Sequence, residues 1–174
     1  NNCKKIVEEV KKNNTIFRIC HVLRYKKKKK QIKELIDSGA IGEVINIQRL
    51  EPVGYWHFAH SYVRGNWRNH NTSTNMLLAK SCHDIDWILY IMNEKCKAVS
   101  SFGSLVHFKK NNKPEKSGER CIDCEVTSNC PYSAQKIYLE RINNNHVTWP
   151  NDVLCITPTK EKIEKALKYG PYGK

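Results

Sequence analysis

The stretch from Leu77 to Met92 constrains the chain most. Apolar residues recur at 77, 78, 81/82, 85, 88, 89 and 92, the spacing of a broad helical stripe that faces a core. At roughly 100° per residue, Lys80, His83 and Trp87 fall together on a different face of such a helix. A cation and an imidazole three residues apart are neighbours there, close enough to act on one bound molecule. The same pattern fits an ordinary core helix with a solvated rim, in which Lys80 pairs with Asp84 one turn on. Pattern alone leaves both readings open.

At 174 residues the chain suits one domain, large enough to bury about two-thirds of its unfolded surface. No apolar run reaches the roughly 18 residues that a bilayer requires, and no signal peptide opens the sequence, so a cytoplasmic location and no membrane partner are expected. The formal net charge is +13, concentrated at Lys26 to Lys30, Lys4-Lys5, Lys11-Lys12 and Lys109-Lys110. Charge runs of this kind usually mark solvated faces, so a nucleic-acid partner is not expected from charge alone.

Three extended segments are read between helices. Residues 3–12 form an amphipathic helix and 15–20 a buried strand. His21 to Tyr25 follows at the strand end, where α/β proteins place ligand residues. Gln31 to Ser38 is a helix with Gly39 placed for a left-handed cap. Alternation from Ile45 to Leu50 signals a half-buried strand, and residues 96–108 a second. From Glu51 to Asn75 a polar loop carries Tyr55, Trp56, His57, Phe58, His60, Tyr62, Trp67 and Arg68. Those rings suit a wall that stacks on sugar faces, or simply a loop pinned down by its own aromatics. A short helix over 133–142 and a last helix from Thr159 to Lys168 complete the reading.

The eight cysteines, without a secretory signal, do not suggest a disulfide framework. Cys121, Cys124 and Cys130 are clustered. A Cys-x-x-Cys with a third cysteine nearby resembles the start of a tetrahedral zinc site, with His107, His146 or Cys155 as a fourth ligand. Redox chemistry and three plain thiols are the alternatives.

Several motifs together resemble the glucose–fructose oxidoreductase / inositol dehydrogenase (Gfo/Idh/MocA) family. They are Leu77-Leu78-x-Lys80-x-x-His83-Asp84-x-Asp86, Cys20-His21-Val22-Leu23-Arg24-Tyr25, residues 32–44 and Gly65-Asn66-Trp67-Arg68-Asn69. The resemblance implies an α+β fold: an incomplete C-terminal substrate domain whose predominantly antiparallel sheet is backed by helices. Residues 1–25 would be the last helix and strand of a dinucleotide-binding domain. Residues 26–174 would form the partial substrate and oligomerisation domain, with a cysteine-containing insertion at about 109–132. The piece is expected to be truncated at both ends.

The resemblance further implies an NAD(P)-dependent oxidoreductase acting on a sugar, polyol or related hydroxy compound, assembled as a homo-oligomer through its sheet. His83 would transfer the proton with Lys80 as its electrostatic partner, Arg24 would border the nicotinamide, and Trp67 and Arg68 would touch substrate. Asp86 could orient the imidazole or cap a surface charge. No Gly-x-Gly-x-x-Gly occurs, so this chain is expected to bind neither NAD nor NADP and to be inactive alone. The alternative is a non-catalytic basic module, with zinc in its cysteine cluster, that binds nucleic acid or a protein.

Overall fold

A computed structural model describes residues 2–174 of the chain. In order, its α-helices are α1 (Asn2–Asn13), α2 (Lys27–Asp37), α3 (Tyr55–Phe58), α4 (Met76–Ala79), α5 (Cys82–Met92), α6 (Glu140–Asn143), α7 (Asn151–Leu154) and α8 (Lys160–Tyr169). A π-helical segment, Ala59–Arg64, continues α3, and another, Gln135–Leu139, leads into α6.

No β-strand occurs among the described residues, which corrects the expected α+β architecture with its antiparallel sheet. Alternation sets a side-chain period, but a strand exists only as one member of a hydrogen-bonded ladder. The segments read as strands are irregular here, and their apolar side chains face water. Ile16 is 90% exposed, Ile45 83% and Phe102 97%. A two-residue period is legible without a partner; a sheet is not formed without one.

The described residues cluster as two compact units, residues 2–49 with 83–96, and residues 50–82 with 97–174. In the first unit, α1 and α2 are rich in lysine, a residue that favours helix; the lysines of α1 are exposed, whereas Lys29 and Lys33 of α2 are half-buried. Helix α2 begins at Lys27, earlier than the apolar pattern suggested, because the lysines continue the helix. Lys29 lies 4.4 Å from the centre of the Trp87 ring, a cation–π contact. Lys33 pairs with Asp37 at 2.5 Å. Past the helix, Gly39 has φ +72°, the left-handed conformation its position predicted, and its N–H donates to the Ile36 carbonyl at 3.0 Å. Helix α5 buries Asp84, Trp87 and Ile91.

The expected single helix from Leu77 to Met92 is divided. Helix α4 is capped by Asn75, whose side chain accepts from the Leu78 N–H at 3.0 Å, and it ends at Ala79. Lys80 then leaves helical geometry, with φ −124° and ψ −55°, before α5 starts at Cys82. The argument that helical spacing puts Lys80 and His83 on one face therefore fails.

The second unit has the larger core: Ala59, Ala134, Ile137, Tyr138, Ile163, Leu167 and Tyr172. Ile163 and Leu167 are one turn apart on α8 and fully buried, which is why this helix docks. Thr159, where the last helix was expected to start, caps α8 by accepting from the Lys162 N–H. Arg120 donates to the carbonyls of Leu167 and Gly170, each at 3.0 Å, and so satisfies the other end of α8. Buried Arg64 ties three segments together, donating to the carbonyls of Lys174 at 2.7 Å and Tyr132 at 2.5 Å and to the Cys121 sulfur at 3.4 Å.

Residues 51–75, expected as a loop, instead contain helix from Tyr55 to Arg64. Gly54 and Gly65 bracket it, and no glycine or proline interrupts it. A Cβ on Gly65 would lie 2.5 Å from the His60 carbonyl oxygen, so only glycine permits the close return of the chain there.

Candidate functional site

The helical run 55–64 sets two imidazoles three residues apart, His57 and His60, facing aromatic residues from distant parts of the second unit. His60 stacks on Tyr172 at 5.2 Å between centroids, with 20° between planes. Trp149 meets His57 edge-on at 4.9 Å and His60 at 5.3 Å. Together with Ser61, Asn66, Trp67 and Val153 these rings line a cavity of about 520 Å³. That is within the range of small-molecule sites, roughly 300–1,000 Å³.

The polar groups of this cavity are neutral near pH 7. Burial pushes the His60 imidazole down to about 4, helped by His57 and Arg64 and opposed by Asp152. Burial also lowers His57, with Lys80 adding to the effect and Glu51 opposing it. His60 Nδ1 shares a hydrogen bond of 2.8 Å with the Tyr138 hydroxyl, which burial keeps protonated. Trp67, a predicted substrate residue, forms part of the wall and is 41% exposed. Arg68, its predicted companion, donates to the Gly65 carbonyl at 3.1 Å and reaches that of Arg64 at 3.5 Å. Its charge also reaches the Tyr172 hydroxyl, whose ionisation it favours against burial. Lys80 pairs with Glu51, 3.6 Å away, rather than with Asp84.

The first unit gathers a second constellation. Asp86 accepts from Arg24 Nε at 2.8 Å and from Nη2 at 2.5 Å. These hydrogen bonds hold the Asp86 carboxyl below its ordinary range, and His21 and His83 add to the effect. His21 Nε2 stands 3.7 Å from the same carboxylate. The His83 ring meets the His21 ring edge-on, 5.9 Å between centroids. Each of these two imidazoles has a buried Nδ1 with no hydrogen-bond partner. Asp84, the neighbour of His83, is held by Arg49 at 2.7 and 2.8 Å.

The cysteine cluster takes a different form from the zinc site expected of it. Among the described residues no group of three or more His, Cys, Asp or Glu side chains is assembled so as to hold a metal ion. Two of the three sulfurs are engaged otherwise. The Cys124 sulfur accepts from the Gly118 N–H at 3.3 Å, and Cys121 packs against the core beside Arg64. A close Cys-x-x-Cys spacing permits chelation, but the fold must still direct the sulfurs to one point.

Comparison with known proteins fits these motifs. A family model described as GFO/IDH/MocA C-terminal domain matches residues 30–128. The chain belongs to the GFO/IDH/MocA family, through its C-terminal domain. It is also similar to a Bacillus subtilis (strain 168) protein named "Putative oxidoreductase YteT", 25% identical over 132 residues. That match covers 74% of this chain and 31% of the relative, so the chain spans about a third of the relative's length. No solved structure matches the chain.

As a GFO/IDH/MocA C-terminal domain, the chain belongs to a family of oxidoreductases that generally use NAD(P). Its own residues do not fit a dinucleotide. They contain no glycine-rich phosphate loop, and Arg24, predicted to border the nicotinamide, directs its Nε and Nη2 at Asp86 and stacks 4.7 Å from the Tyr90 ring centre. No helix among the described residues is long and apolar enough to cross a membrane.

Sequence reasoning singled out His57 and His60 only as members of an aromatic run, and it missed Trp149 and Tyr172. A His-x-x-His pair at helical spacing was the available signal for the first two. Nothing local announces Trp149 or Tyr172, which reach the cavity only through tertiary packing.

Proposed function

We propose that this GFO/IDH/MocA domain binds a sugar, polyol or related hydroxy compound for an NAD(P)-dependent oxidoreductase. The cavity beside Trp67 is the substrate wall. The observation that carries this reading is its lining: flat rings from Trp67, Trp149 and Tyr172 beside the small polar groups of Ser61, Asn66 and two histidines. Ring faces pack on the C–H face of a sugar, while hydroxyl, amide and imidazole groups meet its hydroxyls. Both imidazoles are biased toward the neutral form, so they donate and accept hydrogen bonds without adding charge. An uncharged, hydroxyl-rich ligand suits such a cavity better than an anion does.

His83 is the proposed proton-transfer group. An imidazole is the side chain best suited to taking a hydroxyl proton around neutrality. Asp86 is engaged by Arg24 and stays ionised, so it offers His83 a fixed negative field rather than a second proton. Arg24 thus supports the site through Asp86. Lys80, which pairs with Glu51, stays a proposed catalytic residue through the family resemblance alone.

Calorimetric titration of hexoses and linear polyols into the chain and its Trp67→Ala variant tests the substrate wall. Saturable binding that weakens roughly tenfold in the variant, the order of a lost ring contact, supports the reading. Equal affinity in the two proteins would remove Trp67 and this cavity from the substrate site.

A further inference from the structure

The segment 107–132, which the proposed function leaves unused, builds a second cavity of about 550 Å³ in the second unit. Its floor is a cluster of three rings. His107, Phe108 and Tyr132 lie pairwise 5.0 to 5.1 Å apart, and Phe58 stacks behind Phe108 at 5.5 Å with 9° between planes. Val63, Val126 and Pro131 extend the apolar lining. The charged side chains of the lining are Lys109, Lys110, Lys113 and Lys174 against that of Glu119, beside the neutral amides of Asn112 and Asn129.

We propose that this cavity binds a small aromatic anion, a planar ring system bearing a phosphate or carboxylate. Two independent features define that class. Rings at these separations leave faces and edges for a further ring to pack on, a contact that an aliphatic anion cannot make. In the 174-residue chain the terminal carboxylate offsets the Lys174 ammonium, so Lys109, Lys110 and Lys113 against Glu119 attract negative charge, and each is a compact donor for a phosphate or carboxylate oxygen. The volume suits a ring system of one or two rings with its anionic group. This site shares none of its lining residues with the Trp67 cavity. The two cavities also differ in kind, since one has neutral imidazoles and the other a lysine rim. The proposal stands or falls apart from the polyol reading.

The test is a calorimetric titration of the 174-residue chain with 1-naphthyl phosphate, 1-naphthoate and inorganic phosphate. The expected result is one saturable site for both naphthyl compounds, with inorganic phosphate at least roughly tenfold weaker because it lacks the ring contact. The phosphate and carboxylate arms identify the preferred anion. Lys109→Glu/Lys110→Glu should weaken naphthyl binding at least roughly tenfold. Lys27→Glu/Lys28→Glu changes the net charge by the same amount at the start of α2 and should leave the affinity within about twofold. His107→Ala, at an exposed ring, should weaken the naphthyl compounds but not inorganic phosphate. Far-ultraviolet circular dichroism of each variant confirms that it is folded. Equal loss in the two double variants would overturn the proposal, because the anion would then be answering to overall charge. So would equal affinity for inorganic phosphate, or no saturable binding of either naphthyl compound.

Discussion

Lowering the pH from 7 to 5 should destabilise the chain through His60. The folded imidazole is held at about 4, whereas an unfolded histidine titrates near 6.5. Because the folded value is depressed, the stabilisation is complete above pH 6.5 and is lost as the pH falls toward 4. In that window the unfolded chain takes up a proton that the folded chain refuses. Linkage over these two values gives a loss of about 2 kcal/mol between pH 7 and pH 5, and about 3 kcal/mol by pH 4. For a chain of this size, 2 kcal/mol corresponds to a melting temperature lower by roughly 4–8 °C. The assay is thermal unfolding followed by circular dichroism at half-unit pH steps, for the natural chain and for His60→Gln. His57 is also depressed and adds to the same trend with the same sign, so His57→Gln and the double variant belong in the series. His60→Gln is less stable at pH 7, having lost the imidazole stacked on Tyr172, but its melting temperature should fall much less between pH 7 and pH 5. A His60→Gln chain with the same pH slope as the natural one would refute the reasoning.

Other perturbations follow from the same geometry. Asp84→Asn should destabilise by about 1.5–3 kcal/mol in urea unfolding, since it weakens a partly buried hydrogen-bonded pair with Arg49. Leu167→Ala, at a fully buried site on α8, should cost about 2–5 kcal/mol in the same assay. Thr159→Ala removes the cap of that helix and should cost about 1 kcal/mol, with no change in ligand binding.

Helices were legible where their information is local. Residues 3–12 and 160–168 carry an amphipathic repeat; Thr159 caps α8 with its side chain, and Gly39 ends α2 in the left-handed backbone conformation. The break at Lys80 was hidden, because the apolar repeat runs through 77–92 undisturbed while the backbone turns beside Glu51. The strands failed for a different reason. Ile45-to-Leu50 and residues 96–108 hold the right alternation, but a sheet depends on pairing between segments, which no single segment encodes. The candidate site divides in the same way. Trp67 stands in a family motif, as Arg24, His83 and Asp86 of the first unit do; His57 and His60 sat in plain view without a partner to give them meaning. Trp149 and Tyr172 join them only through the packing of α7, α8 and the final turn. The cysteines show the converse: a suggestive spacing in which the Cys121 sulfur meets Arg64 and the Cys124 sulfur accepts from the Gly118 N–H.

The central claim, that this domain supplies the substrate side of an oxidoreductase, is tested most directly by steady-state kinetics. The protein to use is this chain joined to a dinucleotide-binding domain of the GFO/IDH/MocA family, compared with its His83→Ala and Trp67→Ala variants. A proton-transfer group acts mainly in the transition state, so His83→Ala should lower kcat by roughly 10²–10⁴-fold with little change in KM. Trp67→Ala should instead raise KM for the sugar or polyol substrate while kcat stays within a few-fold. An enzyme whose turnover survives His83→Ala, with only its melting temperature reduced, would contradict the account and make His83 a core histidine.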